Sequence, residues 1–155
     1  MIDKNKVSDL LHEFLDERPS FFLVSLKISS SSQIEILIDS FEGISIKDCI
    51  QLSRHIEGSF DRDEVDFSLQ VASAGLSEPF QVFKQYQKYV GRIVDLQLKG
   101  GTQLLGKMLS ADEKKGITIE TKHKEKVGKK KKEVIQEHAF TFDQIDKTKI
   151  VISFN

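Results

Sequence analysis

Cysteine is nearly missing from this chain. Cys49 stands alone among 155 residues, which excludes an internal disulfide and a cysteine-cluster metal site. Long apolar runs are missing too: none approaches the roughly 18–20 residues of a membrane span. The N-terminal stretch MIDKNKVSDLLHEF carries acids and a helical pattern, where a signal peptide needs a basic end and an apolar block. These absences point to a soluble cytoplasmic protein without membrane contact. The length fits about one domain or two small ones.

Catalytic equipment is also scarce. The histidines His12, His55, His123 and His138 lie on different elements at no metal-ligand spacing. His12 and His55 fall off the apolar stripes of their helices and read as exposed. No serine sits in a recognisable nucleophile elbow. Gly101-Thr-Gln-Leu-Leu-Gly106-Lys107-Met108 matches the glycine and lysine spacing of a phosphate loop. Met108, however, stands where a Ser or Thr must hold magnesium, and a strand follows where a helix N-terminus is required. No catalytic residue, metal or cofactor is therefore expected.

The near-neutral net charge of −1 hides an asymmetry. Residues 1–80 carry 7 Lys or Arg against 15 Asp or Glu, a net −8. Residues 81–155 carry 16 against 9, a net +7. An acidic half followed by a basic half predicts two modules, the basic one facing an anionic partner.

The pattern of apolar residues predicts the elements. Val7, Leu10, Leu11, Phe14 and Leu15 form one stripe of a helix from about Asp3 to Glu17, ended by Arg18-Pro19. Phe21 to Ile28 and Gln33 to Asp39 read as a hairpin, joined by the polar tetrad Ser29 to Ser32, which has no packing value. A second helix spans about Ile46 to Phe60. Ser45 and Asp48 supply its capping box, and Ile44 and Cys49 a hydrophobic staple. Ile46, Cys49, Ile50, Ser53, Ile56 and Phe60 mark its expected buried face, with Cys49 a small core hydrophobe. Phe67, Leu69 and Val71 alternate as a third strand. Residues 1–78 thus read as an α-β-β-α-β domain of the α+β class.

From Pro79 the pattern changes. Pro79 is placed to start a short helix, with Gly91 near its C-terminal cap. Strands follow: Val94 to Leu98, a Gly100-Gly101 turn, Leu105 to Leu109, Ile117 to Ile119, Val134 to Phe140, a helical turn at Phe142 to Ile145, and Lys149 to Phe154. Five short strands predict a closed or nearly closed β-barrel of the SH3 or Sm-like kind over residues 79–155.

The strongest charge feature lies between two of those strands. Residues 122–133 hold Lys122, Lys124, Lys126, Lys129, Lys130, Lys131 and Lys132 against two glutamates. Like charges at this density predict a mobile loop. Contact with nucleic-acid phosphates is one reading; a solubilising loop tip is the other. No aromatic stacking platform accompanies the lysines, so base readout is not expected. Lys84, Lys88 and Arg92 are the next candidates for RNA contact.

Several blocks together resemble a known family. They are Ile38-Asp39-Ser40-Phe41-Glu42-Gly43-Ile44 with Asp48, Cys49 and Ser53; Leu69 to Phe80; Tyr86 to Gly91; and the closing Phe142 to Val151. In this order they resemble the bacterial ribosome maturation factors of the RimP family over nearly the whole chain. The resemblance implies an α+β N-terminal domain and a five-stranded Sm-like C-terminal barrel. It implies a non-enzymatic, monomeric, cytoplasmic assembly factor for the small (30S) ribosomal subunit. Its partners would be the immature subunit, the small-subunit ribosomal RNA and a ribosomal protein near the decoding region. A general RNA-binding Sm-like module without ribosomal specificity is the alternative. In the interdomain signature Gly75, Leu76 and Pro79 match the family, whereas Ala74, Ser77 and Glu78 stand where proline, an acid and arginine are usual. Gly75, Leu76 and Pro79 are candidate interdomain or partner residues. They also read as a plain hinge: Gly for an unusual φ, Leu for packing, Pro for the helix start.

Overall fold

The computed structural model describes residues 1–152. Among the described residues the fold is mixed α+β, with three α-helices and two sheets, and contacts divide the chain into two compact units, Met1–Gly75 and Leu76–Asn155.

The first unit begins with α1 (Lys4–Asp16), capped by Asp3, whose carboxylate accepts from the Asn5 and Lys6 amides. Strands β1 (Phe21–Ile28) and β2 (Gln33–Ser40) pair antiparallel, with a bulge between Leu23 and Ser25. Strand β3 (Ser68–Ser73) runs parallel to β2, giving the order β1-β2-β3. A parallel neighbour requires a crossover, which α2 (Ile46–Glu57) supplies. The predicted α-β-β-α-β order is the observed one. Ile34, Ile36 and Ile38 alternate into a core shared with Val7, Leu11, Phe14, Leu52 and Ile56.

Two expectations in this unit change. The Ser45–Asp48 capping box forms, but the buried face of α2 is Cys49, Leu52 and Ile56. Ile46 is 81% exposed and Ile50 44%, so the helix is rotated from the expected phase. The i, i+3, i+7 set containing Leu52 reaches the core, and α2 ends at Glu57, with Gly58 as its C-cap, instead of at Phe60. The serine tetrad does have packing value. Ser32 is buried with φ +60°, and its hydroxyl accepts from the Ile2 amide at 2.9 Å, tying the N-terminus to the hairpin.

The second unit contains α3 (Phe83–Lys88), β4 (Ile93–Leu98), β5 (Gln103–Asp112), β6 (Gly116–Val127), β7 (Lys130–Phe140), a 3-10 turn (Phe142–Gln144) and β8 (Ile145–Ile150). Pro79 does not open α3: Val82 is the cap residue, and the Gln85 side-chain oxygen accepts from the Gln81 and Val82 amides. The α3 C-cap is Tyr89, two residues before Gly91, which has φ +93°. Gly75 is not among the residues of positive φ, so the unusual φ expected there is not found. The sheet order is β7-β6-β5-β4-β8, antiparallel throughout. Among the described residues β7 and β8 are the two edges and do not pair, so the sheet is not closed by hydrogen bonds. Val94, Leu96, Met108, Ile117, Ile119, Ile145 and Ile150 form its core with Tyr86 and Tyr89. The last strand ends at Ile150; the part of its expected range beyond 152 lies outside the described residues.

The lysine-rich segment is not a loop. Residues 122–127 and 130–135 are the paired arms of a hairpin closed by Gly128-Lys129. Gly128, at φ +65°, is the first central residue of this two-residue turn, where the right-handed twist of the arms favours glycine. Backbone pairing to a strand already anchored in the core offsets the like-charge repulsion that composition alone weighs.

Candidate nucleic-acid interface

The β6–β7 pairing runs without a register shift from Ile117–Phe140 to Val127–Lys130. Period-two alternation therefore carries from the core to the tip. Ile117 and Ile119 point inward and are buried. Their neighbours Thr118 and Glu120 lie on the outer face, and Lys122, Lys124 and Lys126 continue that row. Cross-strand partners share a face, which adds Lys131, Glu133 and Ile135 to it. The other face of the ribbon carries His123, Glu125, Val127, Lys130, Lys132 and Val134. All seven candidate lysines thus belong to one ribbon, but they divide: four outward, two on the back, and Lys129 in the turn.

The ribbon's charges are unevenly matched across the strands, and among the described residues none of its lysines forms an ion pair. Glu133 stands opposite Lys124, and Glu125 opposite Lys132. Glu125 also lies 3.2 Å from His123 Nε2. Lys126 stands opposite Lys131, a like-charged pair, and among the described residues neither forms an ion pair. Strand β7 is also an edge, and lysines on an edge discourage pairing with a second copy.

The outer face continues beyond the ribbon. Lys107 on β5 stands opposite Glu120 and across from Ile93 on β4. The β5–β6 ladder reaches no further toward the tip than Glu120, and where the ribbon leaves β5 a shallow depression of about 320 Å³ is lined by Ile93, Leu105, Gly106, Lys107, Glu120 and Lys122. Gly106 is required beneath it, since a Cβ there would lie 2.5 Å from Ile119 Cγ2 and 2.6 Å from the Glu120 carbonyl oxygen. The sequence reading missed Lys107, which appeared only in the rejected phosphate-loop match. Alternation with buried Met108 was the signal that places it outward.

The remaining candidates are not part of this face. Lys84 and Lys88 lie on α3, with the Lys88 ammonium 5.2 Å from the Tyr89 ring centre, and Arg92 is exposed before β4. Gly75 and Leu76 are exposed, Pro79 is half-buried, and the unit boundary falls between the first two.

No chemistry converges elsewhere among the described residues. No three His, Cys, Asp or Glu side chains form a metal-binding group. His12 Nδ1 donates to the Ser8 carbonyl at 2.7 Å. His55, expected exposed, is half-buried against the Phe14 ring, with Glu13 3.9 Å away. His138 Nε2 lies 3.1 Å from the Thr121 hydroxyl. Burial pushes the Cys49 thiol up, away from the reactive thiolate. Burial likewise raises Tyr86, partly opposed by its hydrogen bond to Thr148. No helix among the described residues is long and apolar enough to cross a membrane.

Comparison with known proteins places the chain. Residues 13–77 match the family model described as the RimP N-terminal domain. The ribosome maturation factor RimP of Flavobacterium psychrophilum is 38% identical over 99% of this chain and 100% of its own length. The chain belongs to the RimP family. The RimP of Christiangramia forsetii is 38% identical over 97% of this chain and 99% of its own. That of Cytophaga hutchinsonii is 29% identical over 97% and 95%. Similarity to RimP proteins thus spans the lysine ribbon as well as the matched N-terminal domain.

Proposed function

We propose that this chain is a ribosome maturation factor, a non-enzymatic protein that binds the immature small (30S) ribosomal subunit in the cytoplasm and assists its maturation. The observation that carries this reading is the 38% identity over 99% of the chain to a protein named ribosome maturation factor RimP. The basic second unit supports an RNA-facing role. Its ribbon presents Lys122, Lys124, Lys126, Lys129, Lys130, Lys131 and Lys132 to solvent, and phosphate contacts supply affinity without reading sequence. The five-stranded order β7-β6-β5-β4-β8 supports an Sm-like description of this unit, with the last strand returned beside the first. The protein acts as a monomer of two domains, 1–78 and 79–155, without a cofactor. Gly75, Leu76 and Pro79 join the domains, and a ribosomal protein near the decoding region is the second partner.

The test is a deletion strain. Its small subunits accumulate as precursors with unprocessed RNA, and the purified protein comigrates with those particles in a gradient. Normal small subunits together with unaltered precursor RNA overturn the reading. RNA binding without comigration favours instead a general RNA-binding module, which the lysine ribbon by itself would also fit.

A further inference from the structure

The ribbon's two faces are chemically unequal. From residue 122 to the tip the outer face holds Lys122, Lys124, Lys126 and Lys131 against Glu133, while Glu120 and Glu137 lie on the same face at its base, where Lys107 stands opposite Glu120. The back face holds Lys130 and Lys132 against Glu125, with His123 beside that carboxylate. Alternate residues of a strand stand about 7 Å apart. Lys122, Lys124 and Lys126 therefore form a straight row whose spacing suits successive phosphates of an extended nucleic-acid strand. At the tip the row widens into the opposed pair Lys126–Lys131. Directly opposite side chains have Cβ atoms only about 5 Å apart, close enough for both ammonium groups to hold one phosphate. Like charges in this position oppose pairing unless an anion lies between them.

We propose that the outer face alone is the RNA-binding surface, and that it grips a single strand's phosphates along Lys122, Lys124 and Lys126 with the Lys126–Lys131 pair as its clamp. The back face takes no part. The proposal rests on the reading of the ribbon as an RNA contact and adds which side of it binds, and how. Lys107 extends the same face onto β5. The surface reads backbone and not bases, because no aromatic side chain lies on it.

The experiment compares two doubly substituted full-length proteins that lose the same charge from the same tip. One is Lys126→Ala/Lys131→Ala, on the outer face; the other is Lys130→Ala/Lys132→Ala, on the back. Binding of a single-stranded oligouridylate is measured at several salt concentrations. Loss of the one phosphate that the clamp holds lowers the slope of log affinity against log salt by about 0.7 for the outer pair, and the back pair leaves it unchanged. Equal losses from both pairs mean a diffuse field and overturn the one-face proposal, while the RNA reading stands. A loss confined to the back pair also overturns it. Absence of binding by the unaltered protein, or the same slope in all three, removes the RNA reading itself. Lys131→Glu guards against an unpaired ribbon: it sets opposite charges across the strands and tightens the pairing, yet binding falls below that of Lys131→Ala. Undiminished binding by Lys131→Glu overturns the clamp.

Discussion

Lys126 and Lys131 face each other across the β6–β7 ribbon, one pair in from its two-residue turn. The two pairs behind them, Lys124 with Glu133 and Glu125 with Lys132, are oppositely charged. Unlike pairs favour strand pairing and like pairs oppose it. The ribbon is thus knit along its middle and electrostatically loosened at its end. Exchange of the amides of Val127 and Lys130 is therefore faster than that of Thr121 and Gln136 at low salt. Lys131→Glu reverses the sign at the tip and slows that exchange several-fold. The difference shrinks at 1 M salt, where screening acts within about 3 Å.

Gly106→Ala tests the close approach of β5 and β6. The new methyl would meet both a side-chain carbon and a backbone oxygen at under 3 Å, and the backbone oxygen yields least. Overpacking of this kind costs roughly 1–3 kcal/mol, read as a lowered urea midpoint with unchanged slope. An unaltered midpoint would show that the two strands separate freely.

Leu52 and Ile50 test the rotation of α2. Leu52 is wholly buried, whereas Ile50 is 44% exposed. Leu52→Ala costs about 2–5 kcal/mol through lost packing and a cavity. Ile50→Ala stays within about 0.5 kcal/mol, as surface changes do. The reverse ranking in urea unfolding would restore the phase expected from the sequence.

The capping box at Ser45 carries a pH signature. Asp48 is held below the ordinary carboxylate range, first by the Ser45 amide and then by the Ser45 hydroxyl. A depressed native value means stability that is present above the unfolded value of about 3.9. It is lost as the pH falls through the lower native value. Asp48→Asn removes that portion of the acid-unfolding limb and leaves the neutral-pH dependence unchanged. The effect is small, because the carboxylate is exposed to solvent. A limb identical to that of the unaltered protein would show that Asp48 is not protonated differently on folding.

Separate folding of the two units is the last expectation. Fragments 1–76 and 79–155 each keep a core cluster of their own, so each shows a cooperative thermal transition by circular dichroism. Failure of both to fold would mean that the connector belongs to one shared core.

Local chemistry made much of the fold legible before any coordinates. Ser45 announces a helix start because a side-chain oxygen and a free amide a few residues on can meet without tertiary help. Ile34, Ile36 and Ile38 announce a half-buried strand because alternation needs only a sheet with one covered face. The charge division, −8 against +7, is legible for the same reason: it depends on composition alone.

Tertiary structure decided the rest. Whether Ile50 or Leu52 enters the core depends on which side of α2 the sheet covers, and both lie on plausible stripes of the helix. Ser32 acquires a role only because Ile2, thirty residues away, brings an amide to it. Composition counts the repulsion within residues 122–133. It cannot count the backbone ladder that Ile117 and Ile119 begin in the core and that continues without a shift to Gly128. That ladder turned an expected loop into a ribbon and sorted its lysines onto two faces. The sorting is a matter of cross-strand register, which arises only when the second strand is in place.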